Sequence, residues 1–92
     1  MAYLWDPAKA LANVRKHGIG FADAVGALED PLSLTLDDPH PTEDRFLNLG
    51  QDYLGRIVVV SWTFRGSDVR IISARLATPR ERQSYEEDPE NA

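Results

Sequence analysis

Apolar positions recur along this chain with two different periods, helical up to residue 29 and strand-like from residue 32 to residue 74. Tyr3–Trp5 reads as a short strand. Asp6 followed by Pro7 then supplies an N-cap and a first helical position, and Gly18 a stop, which predicts a helix over Pro7–His17. In that helix Ala8, Leu11, Ala12 and Val14 are expected to face a core, while Lys9, Asn13 and Lys16 share another face as a polar stripe leading to His17. Phe21, Ala24, Val25 and Leu28 predict a second helix over Phe21–Glu29, weakened by Gly26 and stopped by Asp30-Pro31.

Strands are expected near Leu32–Leu36, Arg45–Gln51, Ile57–Phe64 and Val69–Ala74, joined as a meander. A two-residue turn at Gly66-Ser67 would oppose Phe64 to Val69, Thr63 to Arg70 and Trp62 to Ile71. Taking Asp52–Gly55 as the preceding turn places Leu47, Leu49, Val58, Val60, Trp62, Phe64, Val69 and Ile71 on one side, for helices to cover. The other side then carries Phe46, Asn48, Val59, Ser61, Thr63, Arg70 and Ile72. Thr78-Pro79-Arg80-Glu81 is a capping box with proline at the first helical position, which predicts a last helix to about Tyr85. Trp5 and Trp62 are expected in the core. The order β, α, α, four β, α fits a 92-residue chain with one α+β domain over residues 1–85 and an acidic tail over residues 86–92.

Composition narrows the chemistry. No cysteine is present, which excludes disulfides, thiolate metal sites and cysteine nucleophiles, and two histidines 23 positions apart make a poor metal pair. The start MAYLWDPAK does not resemble a signal peptide and no apolar run could span a bilayer, so a cytoplasmic protein is expected. The net charge of −5 argues against nucleic-acid binding, but its distribution does not. Residues 45–85 carry 7 basic and 3 acidic side chains, whereas residues 86–92 carry 4 acidic and none basic. Eight of the 10 basic residues are arginine, whose planar fork matches phosphate.

Arg15-Lys16-His17-Gly18 places cations and a group that titrates near neutrality at a helix C-terminus, where they either serve catalysis or complement the helix dipole. His40, between two prolines, reads as a solvated loop residue. Arg70 and Arg75 flank an apolar pair in the last strand, and five positions apart puts them on opposite faces unless a bulge intervenes. Glu81 is accounted for by the capping box and Tyr85 by helix packing. No phosphate-binding glycine loop, nucleophile elbow, paired-histidine zinc motif or calcium loop occurs. The remaining chemistry is metal-free work on a phosphodiester, with RNA favoured because its 2′-hydroxyl is a built-in nucleophile. A non-catalytic module binding RNA or protein through the same basic face is the competing reading.

Trp5-Asp6-Pro7 with Lys9 and Asn13, Lys16-His17-Gly18 with Phe21 and Ala24, Asp30-Pro31, Arg45, Gly50 and the run Arg70–Arg75 with Thr78, Glu81, Arg82 and Tyr85 together resemble the BrnT-type toxins of type II toxin–antitoxin modules. The resemblance implies a RelE-like domain with helices packed on a curved antiparallel sheet. It also implies RNA cleavage that halts translation; no cofactor is expected. Lys16, His17, Arg70, Arg75 and Glu81 are the site residues it implies. The implied partner is a BrnA-like antitoxin with a ribbon-helix-helix domain, in a heterotetramer that meets operator DNA only through the antitoxin.

Overall fold

The computed structural model describes residues 1–88. Its elements are β1 (Tyr3–Leu4), α1 (Pro7–His17), α2 (Phe21–Glu29), β2 (Leu34–Asp38), β3 (Arg45–Gln51), β4 (Ile57–Arg65), β5 (Asp68–Leu76) and α3 (Pro79–Glu87). Both helical punctuation signals operate as their chemistry dictates. The Asp6 carboxylate accepts the Ala8 N–H at 2.8 Å, and Gly18, at φ 72°, turns the chain in the left-handed region while its N–H donates to the Val14 carbonyl. At α3, Thr78 and Glu81 cap each other reciprocally. This helix continues through Glu87, two residues into the segment expected as a tail, whose residues 89–92 lie outside the described residues.

The sheet order is β1-β5-β4-β3-β2, antiparallel throughout except for β1, which lies parallel to β5. The Gly66-Ser67 hairpin has the expected register. One residue of slip separates the β3–β4 hairpin from expectation, because Gln51 pairs with Ile57 and the loop holds Asp52–Arg56. The Asp52 side chain causes it. That buried carboxylate accepts the Leu54 and Arg56 N–H groups at 3.0 and 2.8 Å and pairs with the Arg56 guanidinium, stabilising the longer turn. A one-residue slip exchanges the faces of a strand. Leu47 and Leu49 therefore oppose Ser61 and Val59 on the α3 side of the sheet, while Phe46 and Asn48 join Val58, Val60 and Trp62 on the side of α1 and α2.

Two apolar clusters result. Ile19, Phe21, Ala24, Ala27, Val58, Val60, Ile71 and Ala74 form the main core beneath α2. Leu49, Val59 and Tyr85 form a smaller one beneath α3. Gly26 and Gly50 are required by close approach: a Cβ on Gly26 would lie 2.5 Å from the Tyr53 nitrogen, and one on Gly50 2.8 Å from the Ala27 carbonyl oxygen. Trp5 and Trp62 are partly exposed, Trp5 edge-on to Phe21 and Trp62 stacked on Phe46.

Helix α1 departs most from its expected orientation. Its one buried side chain is Asn13, and Ala10 packs against the core, whereas Leu11 and Val14 are 52% and 46% exposed and Ala8 and Ala12 are exposed too. Ala10, Asn13 and His17 follow one another at helical spacing, and this side meets the sheet. Hydrogen bonding by Asn13 has outweighed the burial of two medium-sized apolar side chains.

Candidate active site

Beyond Arg70, β5 has no strand on the side that β1 occupies, because β1 pairs only with Val69 and Arg70. Helix α1 takes that place. Between helix and strand lies an open cleft of about 210 Å³ lined by Lys9, Ala12, Asn13, Lys16, His17, Ile72 and Ser73. The polar stripe read from helical spacing is thus the helix wall of the cleft. Lys16 is exposed and His17 half-buried at the C-terminus of α1, where the helix dipole favours positive charge.

Arg70 and Arg75 do share a face. A β-bulge between Ser61 and Trp62 of β4 leaves Ile72 without a counterpart, so Thr63 opposes Arg70, Ser61 opposes Ser73 and Val59 opposes Arg75. Ile72 and Ser73, lying between the two arginines in β5, form the strand wall of the cleft. Lys16 and His17 are thereby brought together at this edge; Arg70, Arg75 and Glu81 do not line the cleft itself.

The two arginines differ in their surroundings. Among the described residues Arg70 has no ion-pair partner. Arg75 is held by Glu81 through two contacts, Nη1 to Oε1 at 2.7 Å and Nη2 to Oε2 at 3.0 Å. Hydrogen bonding from Arg75, helped by the Thr78 N–H, holds the Glu81 carboxyl down at about 2 against burial. It is ionised throughout the neutral range, paired with Arg75. His40 accepts the Thr42 N–H at 3.2 Å in the loop after β2, as expected of a loop residue. Among the described residues no three His, Cys, Asp or Glu side chains converge as a metal site would require.

Asn13 lies on the expected polar stripe, but it is buried, which helical spacing alone does not predict. Three hydrogen bonds tie it to Ile19 and Ala74. An Asn between two lysines on a helix facing an open strand edge is the signal that a pairing role leaves, but no edge is visible before the strand order is known.

Among the described residues, three helices and a five-stranded sheet make an α+β fold with a cationic cleft at an open sheet edge, which defines the class of protein. Residues 5–81 match the family model described as "Ribonuclease toxin, BrnT, of type II toxin-antitoxin system". The chain belongs to this family. It is similar to the crystal structure of the Brucella abortus ribonuclease toxin BrnT, with a TM-score of 0.65 and 28% identity, over 85% of this chain and 97% of that one. A search of curated protein sequences gives no match. The α+β architecture expected from periodicity is the one observed, and the chain is a ribonuclease toxin of a type II toxin–antitoxin system. No helix among the described residues is long and apolar enough to cross a membrane.

Proposed function

We propose that the chain is an endoribonuclease whose reaction needs no metal ion, with its reacting groups at the edge of β5. The observation that carries this reading is the joint placement of Lys16 and His17 on one cleft wall, opposite Ile72 and Ser73 of the strand that bears Arg70 and Arg75. In the proposed reaction the 2′-oxygen of RNA attacks the adjacent phosphorus, the bond to the 5′-oxygen breaks, and a 2′,3′-cyclic phosphate and a 5′-hydroxyl form. Lys16 orients or activates the 2′-hydroxyl, and of the two proton transfers, off the 2′-oxygen and onto the departing 5′-oxygen, His17 carries one as acceptor or donor while water carries the other. Arg70 and Arg75, on one face of β5 and the latter held by Glu81, supply the positive charge that meets the charge developing on phosphorus. The charges that stabilise this transition state are all supplied by side chains.

An acidic partner fits the same edge. Helix α1 carries Lys9, Arg15 and Lys16 and no carboxylate, and its outward Leu11 and Val14 form an apolar stripe. An amphipathic, acidic segment of a BrnA-like antitoxin would cover that stripe and pair with Arg15 beside it, and a further acidic stretch over Lys9 and Lys16 on the other side of the helix would block the cleft. The antitoxin's ribbon-helix-helix domain would then dimerise to give a heterotetramer and make the contacts with operator DNA.

Turnover and binding separate this reading from a non-catalytic module. His17→Ala is expected to reduce RNA cleavage by at least 100-fold with the affinity for single-stranded RNA within about twofold. Arg70→Ala is expected to weaken both, and to lower the log–log salt slope of binding by about 0.7. RNA binding without any product would overturn the enzymatic reading in favour of a binding module.

A further inference from the structure

The cleft joins two elements that carry different parts of the proposed chemistry, and one side chain sets their relative position. Asn13, 7% exposed, donates from its amide nitrogen to the carbonyls of Ile19 and Ala74, both at 2.9 Å, and accepts the Ala74 N–H at 3.1 Å. Its two N–H groups and its oxygen are all engaged. Toward Ala74 the carboxamide offers a donor and an acceptor side by side, as a neighbouring strand would, and so closes the ladder where β1 has ended. Rotating the amide by 180° would set donor against donor and acceptor against acceptor, so the orientation is determined.

Apolar packing constrains α1 much less, since Leu11 and Val14 point outward. Lys16 and His17 follow Asn13 by three and four residues on the same side of the helix, and Arg75 follows Ala74 directly in β5. We infer that Asn13 is a positioning residue for RNA cleavage: by bonding both backbone groups of Ala74 it holds the helix bearing Lys16 and His17 in register with the strand bearing Arg70 and Arg75. The inference rests on the ribonuclease reading and adds a residue to it that touches none of the reacting atoms.

The test compares Asn13→Ala with Val25→Ala, which removes apolar volume from α2 in the main core. Both are assayed below their melting temperatures on the same single-stranded RNA. Asn13→Ala is expected to lower kcat by 30- to 100-fold with KM within threefold, and to leave the pH profile displaced, because misplacing a reacting group by about 1 Å costs rate more than affinity. Val25→Ala is expected to lose melting temperature while keeping kcat. Amide exchange at Ala74, read without RNA, is expected to accelerate in Asn13→Ala alone. Should Asn13→Ala not fold, Asn13→Asp, which keeps the acceptor for the Ala74 N–H and loses the amide donors, takes its place with an intermediate kcat expected. Equal kcat losses in the core variant, or an unchanged kcat in the Asn13 variants, would overturn the inference. Absence of cleavage by the unaltered protein would overturn the ribonuclease reading beneath it, and the Ala74 exchange data would show that the helix docking itself stands.

Discussion

Arg75 and Glu81 face each other across the junction of β5 and α3 as a two-pronged ion pair, while the same Glu81 accepts the Thr78 N–H that starts the helix. One carboxylate therefore both caps α3 and occupies half of the arginine pair. Glu81→Gln preserves the acceptor needed by the cap and removes the charge. The expected outcome is a free Arg75, tighter binding of single-stranded RNA and a log–log salt slope steeper by about 0.7. Anisotropy titrations of a labelled RNA at several salt concentrations measure this, and an unchanged slope would show that Arg75 does not reach the RNA.

Stability should depend on pH at both extremes. The Glu81 carboxyl lies at about 2 in the fold against an ordinary 4.5, so its contribution is complete above pH 4.5 and is lost as pH falls toward 2. Burial, followed by its hydrogen bond to Asp30 at 2.6 Å, pushes the Tyr85 hydroxyl up to about 12 from 10.0. That contribution is complete below pH 10 and is lost as pH rises toward 12. Urea melts across pH are expected to show the alkaline limb flatten in Tyr85→Phe and the acid limb flatten in Glu81→Gln.

Gly26 offers a test of packing. Alanine is the better helix former by about 1 kcal/mol in an exposed helix interior. Here its Cβ would fall 2.5 Å from the Tyr53 nitrogen and 2.9 Å from the Asp52 carbonyl carbon, both of them backbone atoms of the β3–β4 turn. Gly26→Ala is therefore expected to destabilise the fold by about 1–3 kcal/mol. A thermal melt showing equal or greater stability would mean that α2 does not pack on this turn as described.

The limits of helix α1 were legible because Asp6-Pro7 and Gly18 act locally, through a cap and a left-handed turn. The direction in which it faces was not. Leu11 and Val14 advertise a core face, and only the open edge of β5 explains why an asparagine displaced them. The two hairpins make the same point. Gly66-Ser67 declares its own register, whereas the β3–β4 register depends on whether Asp52 closes around four residues or five, and the slip moved Leu47 and Leu49 to the other face. Arg70 and Arg75 were identified as candidates, but their common face comes from a bulge that pairing across β4 and β5 creates.

The outward stripe on α1 yields a prediction about the partner. With the cognate antitoxin co-expressed, Leu11→Asp combined with Val14→Asp is expected to weaken the complex by at least 100-fold, while Leu54→Asp, on the β3–β4 turn, leaves it intact. Titration calorimetry of the purified pair gives the affinities. Equal affinity for the unaltered chain and the double variant would move the antitoxin to another surface.

The most direct test of a metal-independent ribonuclease is end-group mapping after incubation of the purified protein with a defined single-stranded RNA in excess EDTA, beside His17→Ala. Products with 2′,3′-cyclic phosphate and 5′-hydroxyl ends are expected from the unaltered protein and none from the variant. Cleavage that EDTA abolishes, or products with 5′-phosphate ends, would contradict it.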